Sequence, residues 1–344
     1  MEHVEDFSSE GSQDEQYYSS YEDLAVHRVM LADRPRMEFY RDILTDPTVV
    51  GGKVIVDIGS GSGILSAWAA MGGASHVISV EASTMADCQP LIFKENGIAH
   101  KVTVLHTTVE AMVEAGAAAF VAAHKSAFTE RGFCEFFTEV NAFLGVSTSI
   151  ELVPSSARLV AAPITLGPLY KRCFQSFWGN IDGVKMETLG RLAFDFTVNG
   201  ASPLIEVIPA ECLLVQKDSA AVLWERELGS LRCEELAELE GMAHYRLCAP
   251  EGEAADPHSD KGKRIAVDGF TLWFEVGHGS AVLSTAPTAA STHWKQTTIL
   301  LPQQLREEGV LSLEAVGDET LDVRFSLRTA KPGSRLYTIE FELC

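Results

Sequence analysis

The sequence holds no apolar run of the ~18 residues that a membrane-crossing helix needs. Its opening stretch, MEHVEDFSSEGSQDEQ, is acidic and has no apolar signal-peptide core. Seven cysteines, an odd number without a CxxC pair, make no disulfide framework and suit unpaired thiols in a reducing compartment. Cysteine and histidine nowhere take metal-ligand spacing, so no metal is expected. Basic residues are scarce: 27 Lys and Arg stand against 48 Asp and Glu, for a formal net charge of −21. Such a field repels nucleic-acid phosphates and anionic membranes and attracts basic partners. The expectation is a cytoplasmic protein with neither nucleic acid nor membrane as a direct partner.

Patterning divides the chain. Residues 1–14 read as a disordered acidic tail. Over 15–153, KVIVDIG, SHVISVEAS and KVTVLHTTV read as buried strands among helical segments, which implies a parallel sheet covered on both faces. Over 154–344 the pattern changes to period two. Leu321, Val323, Phe325 and Leu327 fall on one face of a strand, and Asp322, Arg324, Ser326 and Arg328 on the other. The fold class is therefore α/β followed by an antiparallel β sandwich or barrel, with PEGEAADPHSDKGK as a loop between strands.

VIVDIGSGSG places Gly59, Gly61 and Gly63 directly after an apolar strand. Glycines there permit a tight turn and bring backbone N–H groups against a ligand at a helix N-terminus. GxGxG differs from the GxGxxG of dinucleotide enzymes. Asp57 closes the strand and steers the loop; Glu81 closes the next strand, where a carboxylate would hold two ribose hydroxyls. Strand, loop, helix, strand and acid in this order form a site shaped for S-adenosylmethionine. The bland alternative is a tight turn with no ligand.

Three segments together, YYSSYEDLAVHRVMLADRPRMEFYR, the glycine loop and STHWKQTTILLP, resemble the protein arginine methyltransferase family. The resemblance implies a Rossmann-like methyltransferase domain followed by a β-barrel with a helical dimerisation arm at about 166–200. Tyr17, Tyr18 and Tyr21 stand where the family covers its cofactor, although Tyr18 replaces a phenylalanine. His27, Met30 and Leu31 follow. Arg36 corresponds to the arginine that pairs with the cofactor's carboxylate, a bidentate geometry that lysine does not reproduce. Glu110 matches the acid that accepts from the adenine amino group. Thr292, His293 and Trp294 form a loop whose histidine helps build the substrate-arginine pocket. The segment YKRCFQSFWGNIDGVKM resembles the arm, and Tyr170, Phe174, Phe177 and Trp178 suit interface anchors. Barrel core is the competing reading of these aromatics, and Phe174 stays open between the two.

Methyl transfer to arginine brings together two cations, so the site must cancel charge and orient one nitrogen lone pair. The family uses two glutamates on a hairpin, nine residues apart. Counting forward from Glu110 puts Lys125 in the first slot, beside His124; counting back from Pro154 offers Ala123 and Gly132. A gapped frame over TERGFCEFFTEV keeps Glu130, Gly132, Phe133, Cys134 and Phe136, but puts Thr138 in the second slot, with Glu139 nine residues after Glu130. The preceding VEAMVEAGAAAFVAAHKSAF reads by propensity as helix or loose connection. The expectation is a degenerate hairpin in a non-catalytic subunit, looking most like the prozyme subunit of the trypanosomatid members. Such a subunit would associate with an active paralogue and reach arginine- and glycine-rich substrates through the complex. The alternatives are an active methyltransferase using Glu130 and Glu139 with His293, or a cofactor-binding regulatory subunit.

Overall fold

The computed structural model describes residues 23–108, 111–112, 126–129, 151–200, 203–216, 219–232, 234–248, 264–308, 312–314, 320–329 and 337–344. The chain forms two compact units. One runs to Ser155 and includes 228–231 and 277–281; the other takes 156–227, 232–276 and 282–344.

In the first unit, α1 (Leu24–Ala32), α2 (Arg34–Leu44) and α3 (Pro47–Val50) start on aspartates. Asp23, Asp33 and Asp46 accept from the backbone N–H groups of Ala25, Arg36 and Thr48. These N-caps satisfy donors that the first helical turn leaves orphaned. Five parallel strands follow: β1 (Val54–Ile58), β2 (His76–Glu81), β3 (Val102–His106), β4 (Ser126–Thr129) and β5 (Glu151–Val153), in the order β3-β2-β1-β4-β5. Every residue of β1 is buried, as the centre of a doubly covered parallel sheet requires. Helix α4 (Ile64–Met71) connects β1 to β2, and α5 (Met85–Glu95) leads from β2 toward β3.

The segment expected to be helix or loose connection ends instead in β4, which pairs with β1 from Val54↔Ser126 to Asp57↔Thr129. Propensity fails here because a four-residue strand gains ladder hydrogen bonds from neighbours on both sides. The long-range pairings outweigh the alanine-rich local sequence.

The second unit is antiparallel β. β6 (Ser156–Ile164), β7 (Leu204–Glu206), β8 (Ala221–Glu227), β11 (Gly269–His278), β12 (Ala281–Ser284) and β13 (Gln296–Leu300) form one sheet, ordered β7-β13-β11-β6-β8 with β12 on β11. β9 (Glu238–Arg246), β15 (Thr320–Thr329) and β16 (Tyr337–Leu343) form a second, and β10 (Arg264–Ala266) pairs with β14 (Ser312–Glu314). The alternation along β15 is realised: Val323, Phe325 and Leu327 are buried, while Asp322, Arg324 and Arg328 are exposed. Phe270 anchors the core between Phe325 and Phe341, with ring centroids 5.4 and 4.7 Å away in edge contacts. Such pairs add about 0.5–1.5 kcal/mol beyond the area they bury.

The arm leaves this barrel after β6. Helical turns run from Gly167 to Trp178, the middle one a π-helix at Tyr170–Gln175, and α6 (Glu187–Gly200) returns. Trp178 lies on Gly190, where an added Cβ would stand 2.8 Å from the Trp178 Cβ. The two limbs of the arm therefore close on a glycine.

Candidate functional site

The carboxyl ends of β1, β2 and β4 lie side by side, the edge where open α/β sheets bind ligands. From β1 the chain turns through Gly59, Gly61 and Gly63, all with positive φ, at 61°, 53° and 76°. Two of these positions are also closed sterically. A Cβ on Gly61 would meet His27 Cε1 at 2.9 Å, and one on Gly63 would meet Phe93 Cζ at 2.8 Å. The loop therefore needs glycine for backbone angle and for space together.

Glu81 fastens the loop from the neighbouring strand. It is 4% exposed; its Oε2 accepts from the Gly61 N–H at 2.6 Å and its Oε1 from the Ser83 N–H at 2.8 Å. Each carboxylate oxygen keeps a further acceptor direction, so the pair of ribose hydroxyls expected at Glu81 still has lone pairs to meet.

A buried polar network supports the loop from below. The Gln89 side chain, on α5 and fully buried, donates from Nε2 to Ser60 Oγ at 2.7 Å and to the Gly61 carbonyl at 2.8 Å. Its Oε1 accepts from Ser79 Oγ at 2.8 Å. Ser66 donates to Asp57 Oδ2 at 2.7 Å, so the strand-end aspartate is tied to the first helix after the loop. Sequence reasoning found Asp57 but missed Gln89, Ser66 and Ser79. The available signal was a glutamine set inside the helix α5, where burial obliges it to find partners.

Arg36 faces the same loop. It joins His27, Met30 and Leu31 in lining a pocket with Gly59, Ser60, Gly61, Ser62, Ile64 and Leu65. Its guanidinium lies 5.5 Å from the Tyr40 ring centroid and 3.5 Å from Met37 Sδ. No described carboxylate makes an ion pair with Arg36, which leaves its charge facing the glycine loop for an anionic group. A buried carboxylate, a glycine cradle and an arginine without a carboxylate partner fit a nucleoside with a carboxylate tail. Among the described residues no group of three or more His, Cys, Asp or Glu could hold a metal ion.

The second unit carries the His293 loop. Thr292 is 6% exposed, and its hydroxyl has no hydrogen-bond partner among the described residues. The His293 ring lies 4.0 Å from Trp294, which in turn meets Phe274 edge-on at 5.2 Å. Of the arm aromatics, Tyr170 and Phe174 turn inward onto Phe194 at 5.2 and 5.3 Å, and Phe174 packs against the barrel core. Phe177 is 61% exposed and touches Trp178 edge-on at 5.2 Å. The acidic tail at 1–14, Tyr17, Tyr18, Tyr21, Glu110, Glu130 and Glu139 lie outside the described residues; Glu130 is the next residue after β4.

Residues 155–343 match the arginine methyltransferase oligomerization subdomain. A solved PRMT6 structure with SAH superposes with a TM-score of 0.81 at 38% identity, over 94% of this chain and 100% of that one. The probable protein arginine N-methyltransferase 3 of Arabidopsis thaliana is 29% identical over 89% of this chain and 52% of its own. The chain thus spans about half the length of that relative. Similarity to a Trypanosoma brucei PRMT1 enzyme-prozyme heterotetrameric complex with AdoHcy covers 94% of each chain at a TM-score of 0.65 and 21% identity, which supports a shared fold alone.

These findings correct the expectation of a non-catalytic, prozyme-like subunit. The relatives with the higher identities are named methyltransferases, and the 38% match runs the full length of the PRMT6 chain. The dependence on an active paralogue falls with that expectation. The physical reason for the misreading is β4: the segment read as helix or loose connection ends in a strand paired with β1. The chain belongs to the protein arginine methyltransferase family.

Proposed function

We propose that this protein is an active S-adenosylmethionine-dependent protein arginine N-methyltransferase. One observation carries the reading. β4 runs beside β1 with Thr129 level with Asp57, so its carboxyl end lies on the sheet edge that bears the glycine loop and Glu81, and Glu130 is the next residue in the sequence. Catalytic groups in α/β sheets come from the chain just beyond the strands' carboxyl ends.

Arg36 would take the cofactor's carboxylate, Glu81 its ribose hydroxyls and Glu110 its adenine amino group, with Gly59 and Gly61 leaving room for it. When bound, S-adenosylmethionine supplies an electrophilic methyl carbon on a sulfonium. Glu130 and Glu139 hold the substrate guanidinium and cancel its charge, which leaves one nitrogen lone pair oriented for attack. His293 is the residue that the family resemblance assigns to the guanidinium pocket. Arginine- and glycine-rich proteins are basic, and a net charge of −21 favours their encounter.

The arm supports assembly with a second copy of the chain, since the matched family segment is an oligomerization subdomain. Among the described residues Cys88, Cys173, Cys212 and Cys344 form no disulfide, which suits the cytoplasm.

The test is methylation of an arginine- and glycine-rich peptide by the purified chain alone. Turnover is expected, and Glu130→Gln should reduce it by about 10²–10³-fold, the scale of one lost electrostatic contact to the reacting centre. No turnover with intact S-adenosylhomocysteine binding would sink the proposal.

A further inference from the structure

The second unit contains a cleft of about 400 Å³ at the base of the arm, lined among others by Tyr170, Arg191, Phe194, Asp195, Asp268 and Arg306. None of these residues belongs to the cofactor site. One wall is a single face of α6, because Arg191, Phe194, Asp195 and Val198 follow the i, i+3, i+4, i+7 spacing.

The Tyr170 ring meets Phe194 edge-on and offers a face to a cation. The chain's own Arg191 already lies over it, with Cζ 5.9 Å from the centroid. Stacking of a guanidinium on an aromatic face is a recognition geometry in itself. Arg191 is exposed, and among the described residues its guanidinium makes no hydrogen bond or ion pair beside this ring contact.

Two carboxylates complete the cleft. Asp195 has no hydrogen bond or ion pair among the described residues and sits one turn from Arg191 on the same face. Asp268 receives the Leu166 N–H at 2.6 Å and the Thr165 hydroxyl at 3.3 Å, both on Oδ2, so Oδ1 remains open to the cleft. Arg306 is tied to one wall: its Nε donates to the Leu301 carbonyl at 2.9 Å and its Nη2 to Asn199 Oδ1 at 2.5 Å.

We infer that this cleft is a second docking site for an arginine side chain of a basic protein substrate, the guanidinium displacing Arg191 from the Tyr170 face and reaching Asp195 and Asp268 Oδ1. An anionic ligand would find Arg191 and Arg306, but it would also meet both carboxylates and a chain of net charge −21. A guanidinium matches the carboxylates and the aromatic face together, and its one rival for that face is a side chain free to swing away. Identifying the ligand as a substrate arginine rests on the methyltransferase reading; the preference for a guanidinium rests on the cleft alone.

The experiment is fluorescence anisotropy of a labelled glycine-rich peptide with four arginines, and of its lysine counterpart, on the full chain. Asp195→Asn and Tyr170→Leu should each weaken the arginine peptide roughly fivefold, the scale of one desolvated cation–π or ion contact. Arg191→Ala should tighten it, and the lysine peptide should respond less to Tyr170→Leu. Circular dichroism on each variant separates lost binding from lost folding, and Tyr170→Phe, which keeps the ring, should retain binding. Weaker binding in Arg191→Ala would overturn the inference, because Arg191 would then be part of the peptide-binding surface and not a rival for the Tyr170 face. Unchanged binding in all three variants would overturn it in favour of a cleft with no role in substrate capture. Turnover of a single-arginine peptide by the unaltered chain reports separately on the methyltransferase reading, so either can fail alone.

Discussion

Glu81 and Gly61 are joined across two strands: the carboxylate at the end of β2 accepts the loop N–H at 2.6 Å. The same side chain therefore fastens the glycine loop, and on the proposed function it would also take the hydroxyls of the cofactor's ribose. A charge-assisted bond of this kind is worth about 1.5–3 kcal/mol.

Glu81→Gln removes the charge and one acceptor without removing bulk. Calorimetric titration with S-adenosylhomocysteine should show affinity reduced by about tenfold to a hundredfold. An affinity equal to that of the unaltered chain would mean that Glu81 is a loop fastener with no part in cofactor binding.

The arm makes a different prediction. Phe177 and Phe196 are 61% and 84% exposed, whereas Tyr170 and Phe174 are turned toward Phe194. Buried aromatic anchors of interfaces often carry about 2 kcal/mol each or more. The double change Phe177→Ala with Phe196→Ala should shift sedimentation equilibrium strongly toward the single chain while the melting profile of each unit is retained. An oligomer unchanged in affinity would place the interface elsewhere.

Asp268 sets a pH dependence. Burial pushes its carboxyl above the ordinary value, against the opposing hydrogen bonds from Leu166 and Thr165 and the charge of Arg306. The folded chain then holds this proton more tightly than the unfolded chain. Its contribution to stability is complete below the ordinary carboxylate range and is lost as pH rises through the raised folded value. Melting temperatures of Asp268→Asn across about pH 4 to 7 should fall less with rising pH than those of the unaltered chain. Parallel curves would show that Asp268 titrates alike in both states.

The reach of the sequence follows from which forces act locally. β1 and β2 were legible because a parallel strand covered on both faces is an apolar run, and glycines mark its end. β15 was legible through its alternation. The places of Asp57, Gly59, Gly61 and Glu81 at the strand ends and turn were legible because their spacing follows strand and turn, whereas Arg36 came from the resemblance and not from spacing. β4 was not: Ser-Ala-Phe-Thr carries too little apolar signal, and its place is fixed by β1 and β5 on either side. Gln89 was hidden for a similar reason, since its three partners come from β2 and the glycine loop rather than from its own helix. The division of the arm aromatics into inward and outward rings also depends on a contact between limbs, Trp178 on Gly190, that spacing does not reveal.

The position of β4 also bears on the order in which the first unit assembles. β3, β2 and β1 come from neighbouring chain and can pair early, as local contacts cost little loop-closure entropy. That half-sheet ends at β1, with one edge open. It closes only when the chain returns much later with 126–129 and then 151–153. The strand that bears the glycine loop thus gains its second neighbour from the same segment that leads into Glu130. On the proposed function, the platform for the methyl donor and the chain leading to the carboxylate that would hold the substrate guanidinium both depend on β4, so a chain that fails to seat β4 would forfeit both.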